Sequence, residues 1–286
     1  MQYATPDTID AAVGLLAGAA GNARVLAGGT DLLVQMRSGM LAPDLIVDIK
    51  YISETRAITP EAGGFRIGAA VAGAELTEHP DVKNVWPGVV ESVDLIGSTQ
   101  IQGRASMGGN LCNASPAADS VPAMIAAGMV AKVAGPGGVR EVPVEEICTA
   151  PGQTSLAKGE FVVSFFLPAR PAHSGDAYLR FIPRTEMDIA VVGAGVSLTL
   201  DESGTCTAAR VAVGAVAPTV LLVPDGIAAL IGSKVDDEAL DKLAAAARAV
   251  CNPINDKRGT IEYRIKVAGV LAQRAAKIAL ERARNN

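Results

Sequence analysis

Apolar positions along the chain recur with a helical period in some stretches and alternate or run together in others, and each switch marks an element. Ile9, Ala12, Val13 and Leu16 form one stripe behind Thr5-Pro6-Asp7, which predicts a helix over 6–18. Arg24–Ala27 reads as a short buried strand that runs into Gly28-Gly29-Thr30. A helix is expected from Asp31 to about Ser38, where Gly39 stops it, and Asp44–Ile49 is the next strand. These pieces make a small βαβ unit, complete by about residue 53.

The pattern changes after Pro60-Glu-Ala-Gly-Gly64. Residues 65–71 read as a strand, 74–78 and 87–95 as helices, 103–110 as a glycine-rich segment and 119–127 as a helix. Residues 130–134 and 139–144 form a hairpin around Gly135-Pro-Gly-Gly138, and 161–167 is a further strand. Pro168-Ala-Arg-Pro171 has the character of a linker. Beyond it, 189–200 and 205–216 flank Glu202-Ser-Gly204 as an antiparallel pair, and helices over 236–250 and 261–284 close the chain. Leu240, Leu243, Ala247 and Val250 supply the apolar face of the first. Strands followed by helices in one segment indicate a separate α+β domain.

At 286 residues the chain is longer than one core usually organises, so two or three subdomains are expected. Hydrophobic residues at 49% and charged residues at 19% fit a well-buried globular protein. Aromatics are only 3%, and the formal charge is −5, which together remove both the stacking platforms and the basic footprint of a nucleic-acid binder. No apolar run reaches a membrane span, and the N-terminus lacks a secretory signal. Cys112, Cys148, Cys206 and Cys251 are scattered without a CxxC pair. That spacing suits reduced, mostly buried thiols in the cytoplasm and opposes an iron–sulfur cluster in this chain. His79 and His173 stand far apart with no ligand-spaced neighbour, so no metal site is expected.

The candidate chemistry lies in Ala27-Gly-Gly-Thr-Asp31 and Ser106-Met-Gly-Gly-Asn110. In the first, a strand turns through two glycines into a helix start. Backbone N–H groups there can approach an anion with no Cβ in the way, and Thr30 can cap the helix or donate to a phosphate oxygen. The second repeats the recipe with Ser106, two glycines and an amide. Neither segment contains a lysine. Two such segments leave a pyrophosphate grip and a pair of plain turns as equal alternatives. Gly193-Ala-Gly195 is set aside as a nucleotide loop, because Leu198 takes the third glycine position and a strand follows; it reads as a core strand packed close to a neighbour. Asp236-Asp237-Glu238 reads as a helix cap. No nucleophile elbow or catalytic triad is evident, and no catalytic residue is nominated. A redox cofactor carrying its own chemistry accounts for that.

With these motifs in view, the chain resembles the FAD-binding medium subunits of the xanthine dehydrogenase and carbon monoxide dehydrogenase family of molybdenum hydroxylases. The matching stretches are Leu26-Ala-Gly-Gly-Thr-Asp-Leu-Leu33, Ile101–Leu111 with Ser115-Pro-Ala-Ala-Asp119, Tyr178–Arg184 with Asp188-Ile-Ala190, and Arg258-Gly-Thr-Ile-Glu-Tyr-Arg264. They occur in family order over nearly the whole length. The resemblance implies a two-subdomain FAD-binding fold of the PCMH/vanillyl-alcohol-oxidase-like type, with subdomains at 1–54 and 55–171. An α+β domain with an antiparallel sheet and helices follows at 172–286.

It further implies that Leu26, Ala27, Gly28, Gly29, Thr30, Asp31 and Leu32 line FAD together with Ser106, Gly108, Gly109 and Asn110. Asp119 would bond ribityl or ribose hydroxyls, Ile96 and Gly97 would lie near the flavin, and Val162 would pack on its ring. Arg180 takes the place of the family's flavin-side lysine, keeping the charge and changing the donor geometry. Arg184 and Glu186 read as a surface pair.

The resemblance implies an electron-transfer subunit. Molybdopterin would sit on a large partner and 2Fe-2S clusters on a small one, in a dimer of heterotrimers (a heterohexamer) that reduces an external acceptor. The alternative is a self-sufficient FAD-dependent oxidoreductase of the same fold, which needs an acid/base group or covalent flavin anchor near the ring. A non-redox scaffold would leave both glycine segments as turns.

Overall fold

The chain begins with an edge strand that periodicity alone did not reveal. In the computed structural model, which describes residues 1–184 and 186–286, the N-terminal unit runs β1 (Gln2–Ala4), α1 (Ile9–Gly18), β2 (Ala23–Leu26), α2 (Leu32–Arg37) and β3 (Leu45–Asp48). The three strands are parallel, in the order β1-β3-β2. The central strand, Leu-Ile-Val-Asp, is buried throughout, as expected where both edges and both faces are covered. Helix α1 starts at Ile9, later than expected, because the Thr8 side chain accepts from the Ala11 N–H and caps it. Its Ala12 and Leu16 are buried against β3 and against Ala134 and Phe161 of the next unit. Strand β2 is half-buried rather than buried.

The middle of the chain supplies a five-stranded antiparallel sheet, assembled from β4 (Ile58–Glu61), β5 (Gly64–Gly68), β6 (Val130–Gly135), β7 (Gly138–Pro143) and β10 (Phe161–Leu167) in the order β4-β5-β10-β6-β7. Between β5 and β6 lie six short helices: α3 (Gly73–Thr77), α4 (Pro80–Val85), α5 (Pro87–Asp94), α6 (Thr99–Gln102), α7 (Met107–Cys112) and α8 (Ser120–Ala126). A two-stranded ribbon, β8 (Cys148–Ala150) and β9 (Gln153–Thr154), precedes β10. Half of the glycine-rich segment at 103–110 is therefore helix: Ser106 is the N-cap of α7, and Gly108 and Gly109 occupy its first turn.

The last third forms a four-stranded antiparallel sheet of β11 (Ser174–Phe181), β12 (Val192–Leu200), β13 (Cys206–Gly214) and β14 (Leu221–Leu222). Helices α9 (Pro224–Leu230), α10 (Asp237–Ala249) and α11 (Ile261–Asn285) follow. The expected cap is present, with Asp236 accepting from the Ala239 N–H at 3.0 Å. Helix α11 buries a row of alanines (Ala268, Ala272, Ala275, Ala276, Ala279 and Ala283) against the sheet, which explains how an aromatic-poor chain fills this core. The opposite face receives α8. A Cβ on Gly195 would lie 2.5 Å from the Pro122 carbonyl oxygen, so the Gly193-Ala-Gly195 pattern serves close packing, as its strand context indicates.

The junction between this sheet and the middle unit is polar and partly buried. Arg170 bonds Asp176 at 2.8 Å and stacks over Trp86, and Arg282 bonds the Asp176 carbonyl at 2.8 Å and pairs with Glu91. Burial pushes the Asp176 carboxyl up to about 6 against the pull of Arg170. Farther along, Arg184 pairs with Asp188, and Arg258 also reaches Asp188, at 2.8 Å. Arg184 and Glu186 are both exposed, but the partner of Arg184 is Asp188. Cys206 is buried, Cys148 and Cys251 half-buried, and Cys112 exposed, so the expected burial of the thiols is complete for one of the four. No helix of the described residues is long and apolar enough to cross a membrane.

Candidate functional site

Where the N-terminal sheet meets the middle unit, a cleft of about 420 Å³ opens, in the size range of small-molecule sites. The end of β2, the following turn and α2 form one wall. The first turn of α7, Ile96 and the start of β10 form the other. Two segments far apart in sequence thus share one cavity. The Gln35 amide donates across it to the Asn113 side-chain oxygen at 2.9 Å.

The four glycines of the two segments prove to have different duties. A Cβ on Gly28 would lie 1.9 Å from the Arg104 carbonyl oxygen, so Gly28 is required by backbone meeting backbone. Gly108 is held likewise, 2.4 Å from the Ala69 carbonyl oxygen. Gly29 has φ +78°, the left-handed turn that aims the chain into α2. Only at Gly109 would a Cβ meet nothing but a side-chain oxygen, Ser106 Oγ at 3.3 Å, and otherwise enter the cleft.

The backbone donors are the sharper finding. Among the described residues, the N–H groups of Gly28, Gly29, Thr30, Asp31 and Leu32 donate to no protein acceptor, nor do those of Ser106, Met107 and Gly108. Those at the starts of α2 and α7 are left free by helix geometry itself, and the two runs border one cavity, an arrangement suited to an anion. The Ser106 hydroxyl accepts from Gly109 N at 3.1 Å, so it caps α7 rather than standing free. Thr30 does not cap α2; the N-cap position is Asp31, without a side-chain bond. The Asp31 carboxyl is raised above its ordinary value by the desolvating walls around it, although the residue as a whole stays exposed at the cleft mouth. The Asn110 side-chain oxygen accepts from both the N–H and the hydroxyl of Ser120, tying α7 to α8.

Behind the first turn lies a device that sequence reading passed over. The Lys50 ammonium donates to the Ala27 carbonyl at 2.8 Å and to Asp48 at 2.6 Å, and Tyr3 donates to the other Asp48 oxygen. Neither glycine segment contains a lysine, yet one supports the turn from beneath. The signal was available: an acidic residue ending a buried apolar strand, followed at two residues by a cation. Arg24, Gln35, Cys112, Asn113, Leu156 and Glu160 also border the cleft and were not singled out.

Of the residues the resemblance nominated, Ala27–Leu32, Ile96, Ser106, Gly108, Gly109, Asn110 and Val162 line the cleft. Leu26, Gly97, Asp119 and Arg180 do not. Leu26 is the last residue of β2, and Gly97, with φ +66°, closes the turn after Ile96. Asp119 and Arg180 form a buried pair at 3.0 Å. Arg180 also donates to the Leu95 carbonyl at 2.7 Å, and the Tyr178 hydroxyl donates to Asp119 at 3.2 Å. Burial raises the Asp119 carboxyl to about 6, with Arg180 and Tyr178 opposing. Arg180 therefore neither points to solvent nor opens onto the cleft.

The residues fit a flavin dinucleotide: two runs of unpartnered amides suit a pyrophosphate, and Ile96, Leu156 and Val162 offer apolar surface for a planar ring. Comparison with known proteins agrees. Residues 1–170 match the family described as the FAD binding domain in molybdopterin dehydrogenase, and 177–279 match the CO dehydrogenase flavoprotein C-terminal domain. The chain is 33% identical to the carbon monoxide dehydrogenase medium chain of Afipia carboxidovorans, covering 99% of this chain and 98% of that one. It is 30% identical to the xanthine dehydrogenase FAD-binding subunit of Escherichia coli O157:H7, over 88% and 87%. The carbon monoxide dehydrogenase of Hydrogenophaga pseudoflava superposes with a TM-score of 0.94 at 33% identity, and quinoline 2-oxidoreductase from Pseudomonas putida 86 with 0.90 at 26%, each over 99% of this chain and 98% of the other.

Fold and site define a two-part FAD-binding domain followed by an α+β domain. The chain belongs to the family of FAD-binding medium subunits of the molybdenum hydroxylases, the carbon monoxide and xanthine dehydrogenase family of oxidoreductases.

Proposed function

We propose that this chain is the electron-transfer subunit of a heteromeric molybdenum hydroxylase, receiving electrons from iron–sulfur clusters on a small partner and passing them to an external acceptor. Molybdopterin is held by a large partner, the whole is a dimer of heterotrimers, and it works in the cytoplasm. The observation that carries the reading is the pair of unpartnered amide runs, Gly28–Leu32 and Ser106–Gly108, bordering one cleft. Those amides bind the pyrophosphate of FAD, and Gly109 leaves room for its approach. Lys50 holds the Ala27 carbonyl so that the turn presents its N–H groups and not its oxygens. Ile96 and Val162 exclude water from the ring. When bound, FAD supplies the capacity to accept and release electrons, which asks of the protein only binding, orientation and electrostatics.

The test is co-expression with a small iron–sulfur subunit and a large molybdopterin subunit from the same organism, followed by purification on a tag carried by this chain. One FAD per chain is expected, with an iron-bearing and a molybdenum-bearing partner retained. A chain that purifies alone with FAD and turns over an organic substrate unaided would overturn the proposal in favour of a self-sufficient flavoenzyme.

A further inference from the structure

Arg180 stands on β11 of the C-terminal sheet, yet its bonds go to the FAD-binding part of the molecule. One nitrogen, Nη1, donates to the Leu95 carbonyl at 2.7 Å and to Asp119 Oδ2 at 3.0 Å. Leu95 is followed by Ile96, which lines the cleft, and by Gly97, whose positive φ turns the chain back. Asp119 is the N-cap of α8, and the next residue, Ser120, bonds Asn110 of α7 through both its N–H and its hydroxyl. The guanidinium thus draws together the ring-side turn and, through α8, the helix that presents one of the two amide runs. Its side chain is 5% exposed, so water does not compete for these bonds. The Tyr178 hydroxyl holds the other Asp119 oxygen, passing Gly193, where a Cβ would lie 2.7 Å from the hydroxyl.

From this geometry we infer that Arg180 is a positioning residue: a clasp from the C-terminal domain that sets the spacing of the two cleft segments without touching the flavin. The inference rests on the FAD-binding reading of the cleft and deepens it. Because the guanidinium charge is balanced by a carboxylate 3.0 Å away, removing both charges together leaves the field at the cleft nearly unaltered. A contact role and a clasp role therefore part company in experiment.

Three variants of the full chain in its flavin-loaded assembly suffice: Arg180→Met, Arg180→Lys, and Arg180→Met with Asp119→Asn. The last avoids stranding a buried carboxylate, so it keeps the test alive where Arg180→Met alone fails to fold. The clasp requires FAD to dissociate at least tenfold more readily from both Met variants and to be held within about threefold of wild type by the Lys variant, whose ammonium can still bridge carbonyl and carboxylate. Hydrogen exchange at the Ile96, Gly109, Asn110 and Ser120 amides, each of which donates within the protein, should accelerate in the Met variants even with FAD removed. The midpoint potential of flavin remaining in the double variant should equal that of wild type. A shifted potential with unchanged affinity and exchange would show a direct flavin contact and overturn the clasp. So would a folded double variant with wild-type affinity and exchange. If wild type itself binds no FAD, the cleft reading fails, while the exchange arm still judges the clasp.

Discussion

Replacing Gly28 and Gly109 separately by alanine asks which glycines serve the ligand and which serve the fold. At Gly28 the new methyl would sit 1.9 Å from the Arg104 carbonyl oxygen and 2.6 Å from its carbon, neither of which is a movable side-chain tip. Ordinary contact requires the two backbones to part by more than an ångström. Overpacking of that kind costs about 3 kcal/mol or more. At Gly109 the methyl meets only Ser106 Oγ at 3.3 Å. The position lies in the first turn of α7, where alanine is favoured over glycine by about 0.5–1 kcal/mol, so the FAD-free protein should be unchanged or slightly stabilised.

The same methyl would stand in the cleft and deny the phosphates one charge-assisted hydrogen bond. Such a bond is worth about 1.5–3 kcal/mol, or roughly a 10- to 150-fold rise in the FAD dissociation constant. The assay is thermal unfolding of FAD-free protein beside flavin-fluorescence titration of the same preparations. Gly28→Ala should lower Tm by several degrees, and Gly109→Ala should leave Tm level or raise it by about 1–3 °C while weakening FAD. If Gly109→Ala loses Tm as Gly28→Ala does, both glycines are structural. If it binds FAD as wild type does, the methyl faces no phosphate and the cleft has been read wrongly at that point.

Further expectations concern chemistry around the same cleft. FAD should be non-covalent, because neither amide run contains a His or Cys and desolvation pushes the one thiol bordering the cleft, Cys112, up to about 12; acid precipitation should leave the colour in the supernatant, and a yellow pellet would refute this. Lys50→Met should destabilise the chain by about 3 kcal/mol, since the Asp48 side chain is only 3% exposed and loses its cation, and adding Asp48→Asn should recover much of that in denaturant titration. The Asp48 hydrogen bond raises the Tyr3 phenol to about 12. A phenol that stays protonated longer in the folded state contributes stability below pH 10 that is lost as pH climbs from about 10 to about 12. Absorbance at 295 nm should show a late-titrating tyrosine that Tyr3→Phe removes; an unchanged high-pH step would show the bond is not made in solution.

Local sequence carried most of the secondary structure, because period, caps and turns are set by neighbours a few residues apart. The Asp236 cap, the hairpin around Gly135–Gly138 and the two terminal helices were all legible in that way. The two glycine pairs beside Ser and Thr, singled out by local pattern, line one shared cleft. What no local pattern contains is the partner of each group. That Gly28 abuts Arg104, that Lys50 props the Ala27 carbonyl, and that Asp119 and Arg180 spend their charges on one another are facts about residues 23 to 76 positions apart. Their distances and burial come from packing three sheets together, so a nomination that is sound as a motif can still lie one layer behind the cavity. Tertiary structure made that division, because only in the folded chain does a charge find either a counter-ion or a ligand.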